Sequence, residues 1–308
     1  MAQRRNLTPA EFLALAEGLQ VALLDGIARA RRWGRSELAF QGGTCLHLAY
    51  GSPRASEDLD FVVGSDKGLD AIMRDALVRA NTLVRPAAGP GAALEMKARK
   101  SDPETGEPRN PRIYTVSFKT PAYLEAVKVK VEFWVTAPEV AEGYSASPRI
   151  VQCSREGLLR RPIAVGIEQA ILPAAELFEI LADKLHAFAA RDYLKGRDAF
   201  DLWWLAQQPR SGLEDGPRLR EALSHRRALY PTGLAGEADV AARLRDRADE
   251  IESAAGVAAL GKDLARWLAL AGSPVFGTPE FAGAVAAGAA RLARETAAML
   301  TPTRRQRP

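Results

Sequence analysis

Two aspartates, Asp58 and Asp60, flank Leu59 at the start of the apolar run that continues through Phe61, Val62 and Val63. Such a run reads as a strand. Residues i and i+2 of a strand point to one face, so both carboxylates project together while Leu59 and Phe61 turn into the core. Held side by side, two carboxylates repel each other unless a cation lies between them. Oxygen ligands on a rigid strand suit Mg²⁺, and two such ions about 3.5 to 4 Å apart are a recurring device for in-line phosphoryl chemistry. A solvated surface pair is the alternative account of the same two residues.

Upstream, Gly42-Gly43-Thr44 follows a short strand at Phe40 and opens a helix. Glycines let the backbone approach a ligand closely, and the free N–H groups of a first helical turn favour an anion such as a phosphate. Gly-Gly before a helix also occurs as plain turn chemistry. In this order and at this spacing, the two halves make a phosphate cradle and a metal platform within residues 40–61.

Gly-Gly followed by Asp-hydrophobic-Asp resembles the signature of the DNA polymerase β-type nucleotidyltransferase superfamily, with a longer gap from Gly43 to Asp58 than is usual there. Gly42-Gly43-Thr44 with Leu46, and Ser56 with Asp58-Leu59-Asp60-Phe61, more closely resemble the AbiEii-type nucleotidyltransferase toxins, including the MenT-type transfer-RNA modifiers. A second block matches the same family: Glu179, Leu181-Ala182-Asp183-Lys184-Leu185, Ala187 and Arg191, then Lys195-Gly196-Arg197-Asp198 and Asp201-Leu202. Together the blocks and their surroundings cover about two thirds of the chain.

The resemblance implies an α+β, bilobed fold. Residues 1–145 would form a polymerase β-type mixed sheet flanked by helices, and residues 146–308 a mainly helical lobe completing a cleft. It implies Asp58, Asp60 and a third carboxylate on a neighbouring strand, here Glu132, as ligands of two Mg²⁺ ions, with glutamate where aspartate is usual. Lys184 and Asp201 would join them as catalytic residues. Gly42, Gly43, Thr44, Ser56, Lys130, Arg191 and Asp198 would contact the nucleotide. The implied function is that of a toxin-antitoxin or abortive-infection toxin, transferring NMP from an NTP to RNA, the tRNA 3′ end, with a separately encoded antitoxin as partner. A nucleotidyltransferase acting on a small-molecule hydroxyl, and a non-catalytic nucleotide- or RNA-binding module, are the alternatives.

The elements around these residues follow from periodicity. Thr8-Pro9 caps a helix to about Ala30, and residues 67–82 read as a second, amphipathic one. Residues 93–99, 113–118 and 126–135 read as strands in a meander. In the last, Val127, Val129, Val131 and Phe133 face the core while Lys128, Lys130 and Glu132 share the other face. A solvated face explains those three as well as a ligand and a phosphate contact do. An irregular stretch from 144 to 173 holds possible edge strands at 149–153 and 163–167, after which Pro173 opens a helix to about Asp192.

That helix buries Leu177, Ile180, Leu181, Leu185 and Phe188, with Lys184 at the edge of the stripe, either snorkelling or paired. Asp198 and Asp201 share a helix face with Leu202 and Leu205. Buried carboxylates need cations, and Lys184, Arg191 and Arg197 are nearest in sequence. A purely structural salt-bridge network is the alternative role for Asp198 and Arg197. Helices are expected at 218–228, 238–250, 256–271 and 280–299, with a basic, disordered tail after them.

Composition sets outer bounds. The 308 residues are 47% hydrophobic, enough for a core in each of two lobes, and the net charge of +4 and pI of about 9.1 permit nucleic acid without requiring it. Two cysteines and three histidines show no zinc spacing. No apolar run reaches the ~18 residues of a membrane span. A cytoplasmic protein is expected.

Overall fold

The first helix shows how local chemistry starts the fold. In the computed structural model, which describes residues 4–88, 91–101, 108–151, 170–209, 212–213, 215–230 and 232–301, helix α1 spans Pro9–Ala30. The Thr8 hydroxyl accepts from the Glu11 N–H at 3.2 Å and the Thr8 N–H donates to Glu11 Oε2 at 2.9 Å, closing a capping box. Leu19, Leu23, Leu24 and Ile27 on this helix are fully buried.

Two compact units follow from the contact pattern, residues 1–175 and 176–308. The first is built on a seven-stranded mixed sheet of order β3-β4-β5-β2-β1-β7-β6. Its strands are β1 (Leu38–Gln41), β2 (Leu59–Val63), β3 (Ala93–Ser101), β4 (Pro108–Lys119), β5 (Val127–Val135), β6 (Ser145–Val151) and β7 (Ala170–Ala175). Helices α2 (Gly42–Tyr50), α3 (Leu69–Ala88) and α4 (Pro138–Tyr144) complete the unit. Strands β3, β4 and β5 form the expected antiparallel meander, while β2 runs antiparallel to β1 and parallel to β5. Helices α1 and α3 pack so closely that a Cβ on Gly26 would stand 2.5 Å from the Ala76 Cα.

An aromatic seam locks the middle of this sheet. Phe40 on β1, Phe61 on β2 and Phe133 on β5 lie with ring centroids 5.3 and 5.0 Å apart in succession, and Tyr114 on β4 meets Phe133 edge-on at 5.9 Å. All four are buried. Aromatic pairs of this kind contribute about 0.5 to 1.5 kcal/mol each beyond their area. A one-residue slip would turn every one of them to the other face, so the seam fixes the register.

Two expectations are corrected here. Pro173 does not open a helix: it lies in β7, paired with Pro148 of β6, and the helix begins at Leu177. Because β6 pairs with β7 and β7 runs parallel to β1, Ser145–Val151 and Ala170–Ala175 belong to the sheet, and the division falls after Ala175 instead of after 145. The expected edge strand at 163–167, Cys153 and the basic tail from residue 302 lie outside the described residues.

The second unit is helical: α5 (Leu177–Ala190), α6 (Gly196–Leu205), α7 (Gly216–Leu229), α8 (Glu237–Glu252), α9 (Ala254–Trp267), a 3₁₀ turn at Pro274–Gly277 and α10 (Pro279–Leu300). Its core joins apolar stripes to buried ions. Arg226 on α7 is buried, with Nε 2.8 Å from Asp183 Oδ1, and it also bonds the Glu179 carboxylate.

His186 on α5 is buried against the Tyr230 ring at 6.0 Å. Burial, with the like charges of Arg226 and Arg227, lowers its pKa from 6.5 to about 4. A base whose folded pKa is depressed binds its proton more readily when unfolded, so its contribution is complete above pH 6.5 and is lost as pH falls toward 4. Urea unfolding should show His186 removing about 2 kcal/mol between pH 7 and 5. His186→Phe, which keeps the ring stacking, should flatten that part of the profile.

Candidate active site

Strand β2 carries Asp60, and Asp58 immediately precedes the strand. Leu59 and Phe61 are buried, and Asp58 and Asp60 lie on the opposite side. Across the parallel pair Asp60 is in register with Glu132, directly beside the Phe61 to Phe133 pair, and on the other side Asp60 faces Gln41 of β1. The aromatic seam on one face of the sheet thus sets the spacing of the carboxylates on the other. Asp60 and Glu132 thus sit side by side, and Lys130 contacts both Asp58 and Glu132.

The glycine turn closes on the same place. Gly42 has φ +78°, and a Cβ there would lie 2.4 Å from Asp60 Oδ2, so only glycine brings the helix start this near the carboxylate. A Cβ on Gly43 would meet Arg54 Nη2 at 2.4 Å and Ser56 Oγ at 2.9 Å. Ser56 therefore lies against the turn. Its carbonyl accepts from Nε2 of the buried Gln20 at 2.7 Å, which ties this loop to α1.

The Thr44 hydroxyl is fully buried and donates to the Asp58 carbonyl, so it positions the aspartate backbone. Arg54 was not singled out by sequence. It is 1% exposed, its Nη1 donates to the Ala55 carbonyl at 2.9 Å, and it lies against Gly43. The only sequence signal for it was a basic residue inside the loop joining the two halves of the motif.

Lys130 supplies positive charge among the carboxylates. Its Nζ stands 2.9 Å from Glu132 Oε1 and 3.4 Å from Asp58 Oδ2. Partial burial lowers its pKa, but Asp58, Glu132 and Asp60 outweigh that, and the net shift is upward. Among the described residues no three His, Cys, Asp or Glu side chains are grouped as a metal site. The donors at Asp58, Asp60 and Glu132 are nonetheless all carboxylate oxygens, the set a hard divalent ion takes, and glycine at position 42 leaves the space beside Asp60 Oδ2 without a Cβ. As they stand, Lys130 Nζ contacts two of the three, Asp58 and Glu132.

The second block of motif residues forms a buried ionic cluster within the helical unit. Lys184 on α5 lies 2.7 Å from Asp201 Oδ2 and 3.2 Å from Asp198 Oδ1, both on α6, and Arg191 Nε lies 3.0 Å from Asp198 Oδ2. Asp198 and Asp201 are buried. Desolvation pushes the Asp198 pKa up, but Lys184, Arg191 and Lys195 outweigh it and leave the value at about 2. Lys195 caps α6 and falls to about 8, through burial and then the charges of Arg197 and Arg191. Arg197 lies over the Trp267 ring at 5.1 Å, and its N–H donates to Asp263. Lys184 is paired, which decides against simple snorkelling.

With this geometry in hand, the comparisons are specific. The family profile of the nucleotidyl transferase AbiEii toxin, type IV TA system, matches residues 28–286. The chain belongs to this family. No curated protein is significantly similar in sequence. Among solved structures it resembles MenT4, a nucleotidyltransferase toxin of Mycobacterium tuberculosis H37Rv, with a TM-score of 0.51 at 19% identity, over 96% of this chain and 85% of that one. It also resembles JHP933 of Helicobacter pylori, with a TM-score of 0.48 at 20% identity and 91% of each chain covered. Membership in AbiEii makes the chain a nucleotidyltransferase of the toxin-antitoxin type, and the fold is that of such toxins. No helix among the described residues is long and apolar enough to cross a membrane.

For this AbiEii member the ionic cluster gives a direct expectation. Lys184→Met leaves Asp198 and Asp201 buried with a cation removed, and urea unfolding should show a loss of about 3 to 5 kcal/mol. Adding Asp201→Leu should recover part of it, because the second change removes one of the stranded charges.

Proposed function

We propose that this AbiEii enzyme transfers a nucleoside monophosphate from an NTP to a hydroxyl of RNA, the 3′ end of a transfer RNA, and thereby stops translation unless its antitoxin counters it. The observation that carries the reading is the register of Asp60 with Glu132, with Asp58 on the same strand side and the Gly42 turn closing on Asp60. Asp58, Asp60 and Glu132 would hold Mg²⁺, two ions in all, which when bound supply charge stabilisation on the phosphates.

The chain's own groups account for the remaining work. Backbone N–H groups at Gly42 and Gly43, the start of α2, offer donors to the β- and γ-phosphates, with Arg54 and Ser56 beside them. Lys130, half-buried beside Asp58 and Glu132, would offer its ammonium to the phosphates. In the transfer, the acceptor oxygen bonds to the α-phosphorus and the bond to pyrophosphate breaks. The hydroxyl proton passes to a carboxylate of the trio. Lys184, Asp201, Asp198 and Arg191 are assigned to the reaction by family resemblance, as cation, carboxylates and nucleotide contact.

The test incubates the protein with Mg²⁺, total transfer RNA and each α-³²P-labelled NTP in turn. Label should enter RNA from at least one NTP, and Asp60→Asn should lower the rate at least ~100-fold while melting like the wild type. Label in a small-molecule hydroxyl acceptor, with none in RNA, would replace the RNA part of the proposal. No transfer to either acceptor would overturn the assignment of Asp58, Asp60 and Glu132.

A further inference from the structure

Lys130 stands where the candidate centre needs positive charge. Its contacts to Glu132 and Asp58 follow from alternation: Lys130 and Glu132 are i and i+2 on β5, and Glu132 is in register with Asp60. The residue opposite Lys130 on β4 is Thr115, which brings no charge, so the ammonium's nearby charges are those of the carboxylates. Gathered on one sheet face, like charges are destabilising unless neutralised. The lysine side chain is 40% exposed, which leaves it room to swing toward solvent.

We infer that Lys130 is a built-in counter-ion: in the metal-free protein its ammonium holds Asp58 and Glu132 together, and a divalent ion enters the centre by displacing it. The inference rests on the nucleotidyltransferase reading of these carboxylates and adds an order of events to it. A bare divalent ion competes with an ammonium already hydrogen-bonded to Glu132. An NTP offers that ammonium another set of anionic oxygens. Nucleotide and metal therefore strengthen each other's binding through one side chain, and the coupling acts equally in both directions.

The test is Mn²⁺ binding without nucleotide, read from the electron paramagnetic resonance of the free ion, with circular dichroism melting to confirm each fold. Lys130→Met and Lys130→Gln should each bind Mn²⁺ about fivefold more tightly than the wild type, equivalent to about 1 kcal/mol. Lys130→Arg keeps the cation and should stay within about twofold. Lys128→Met removes an exposed lysine two residues earlier on the same face, and should also stay within about twofold because solvent screens that charge.

Unchanged affinity in both neutral Lys130 variants, with binding still lost in Asp60→Asn, would overturn the counter-ion and leave the metal centre standing. Equal tightening by Lys128→Met would overturn it too, by reducing Lys130 to one part of a general field. Failure of wild type and Lys130→Met alike to bind Mn²⁺ would remove the metal centre itself, and the inference with it.

Discussion

The stacking of Phe61 on Phe133, 5.0 Å apart on the buried side of two parallel strands, is the contact on which the candidate centre depends. Each ring is the chain neighbour of a carboxylate, so pairing the rings pairs Asp60 with Glu132 on the opposite side. Apolar burial drives the ring contact and is indifferent to charge, whereas the carboxylates alone would move apart. A centre that gathers negative charge is held together from behind. The glycine turn adds the front: φ +78° at Gly42 brings a helix start against Asp60, and the Thr44 hydroxyl fastens the Asp58 backbone.

The helical unit solves a similar problem with ions inside the core. Helix α5 reaches Arg226 through Glu179 and Asp183, and reaches Asp198 and Asp201 through Lys184. Buried pairs add little net stability against apolar packing of the same shape, but each missing partner leaves a charge without compensation. The packing of α5 on α6 and α7 is therefore specified by charge complementarity, which tolerates far fewer arrangements than interdigitated leucines. Lys195, at the start of α6, is held down to about 8 by burial and by the charges of Arg197 and Arg191.

Where periodicity was unambiguous, the sequence was sufficient. The alternation of β5 announced both its buried valines and the shared face of Lys130 and Glu132, and Thr8 with Glu11 announced the start of α1. The run Ala170–Ala175 failed because a short apolar segment containing proline suits a helix start and a strand equally. Pairing between β6 and β7 decided it, and that information lies in another part of the chain. Arg54 and the Thr44 hydroxyl were hidden for a related reason. Loop residues carry no period, and whether a hydroxyl faces a ligand or a backbone carbonyl depends on a loop returning from fourteen residues away. The cations of Asp198 and Asp201 were narrowed to three by nearness in sequence, and the structure puts Lys184 and Arg191 on them.

Charge balance gives the proposed order of binding its physical basis. Three carboxylates against the ammoniums of Lys128 and Lys130 leave the face of β2 and β5 negative. Two divalent ions and a fully ionised NTP carry equal and opposite charge, so on the proposed reading their joint arrival leaves the net charge of that face as it was. Divalent ions alone would reverse it and would drive the Lys130 ammonium out against like charge. An NTP alone would bring its phosphates against Asp60 and its neighbours with only Lys130, Arg54 and the start of α2 to offset them. On the same reading, metal or nucleotide alone binds more weakly than the two together, because each alone leaves the Lys130 ammonium or the carboxylates uncompensated. On the proposed reading, a lysine two residues from Glu132 on the same strand would favour nucleotide and metal bound together over either alone.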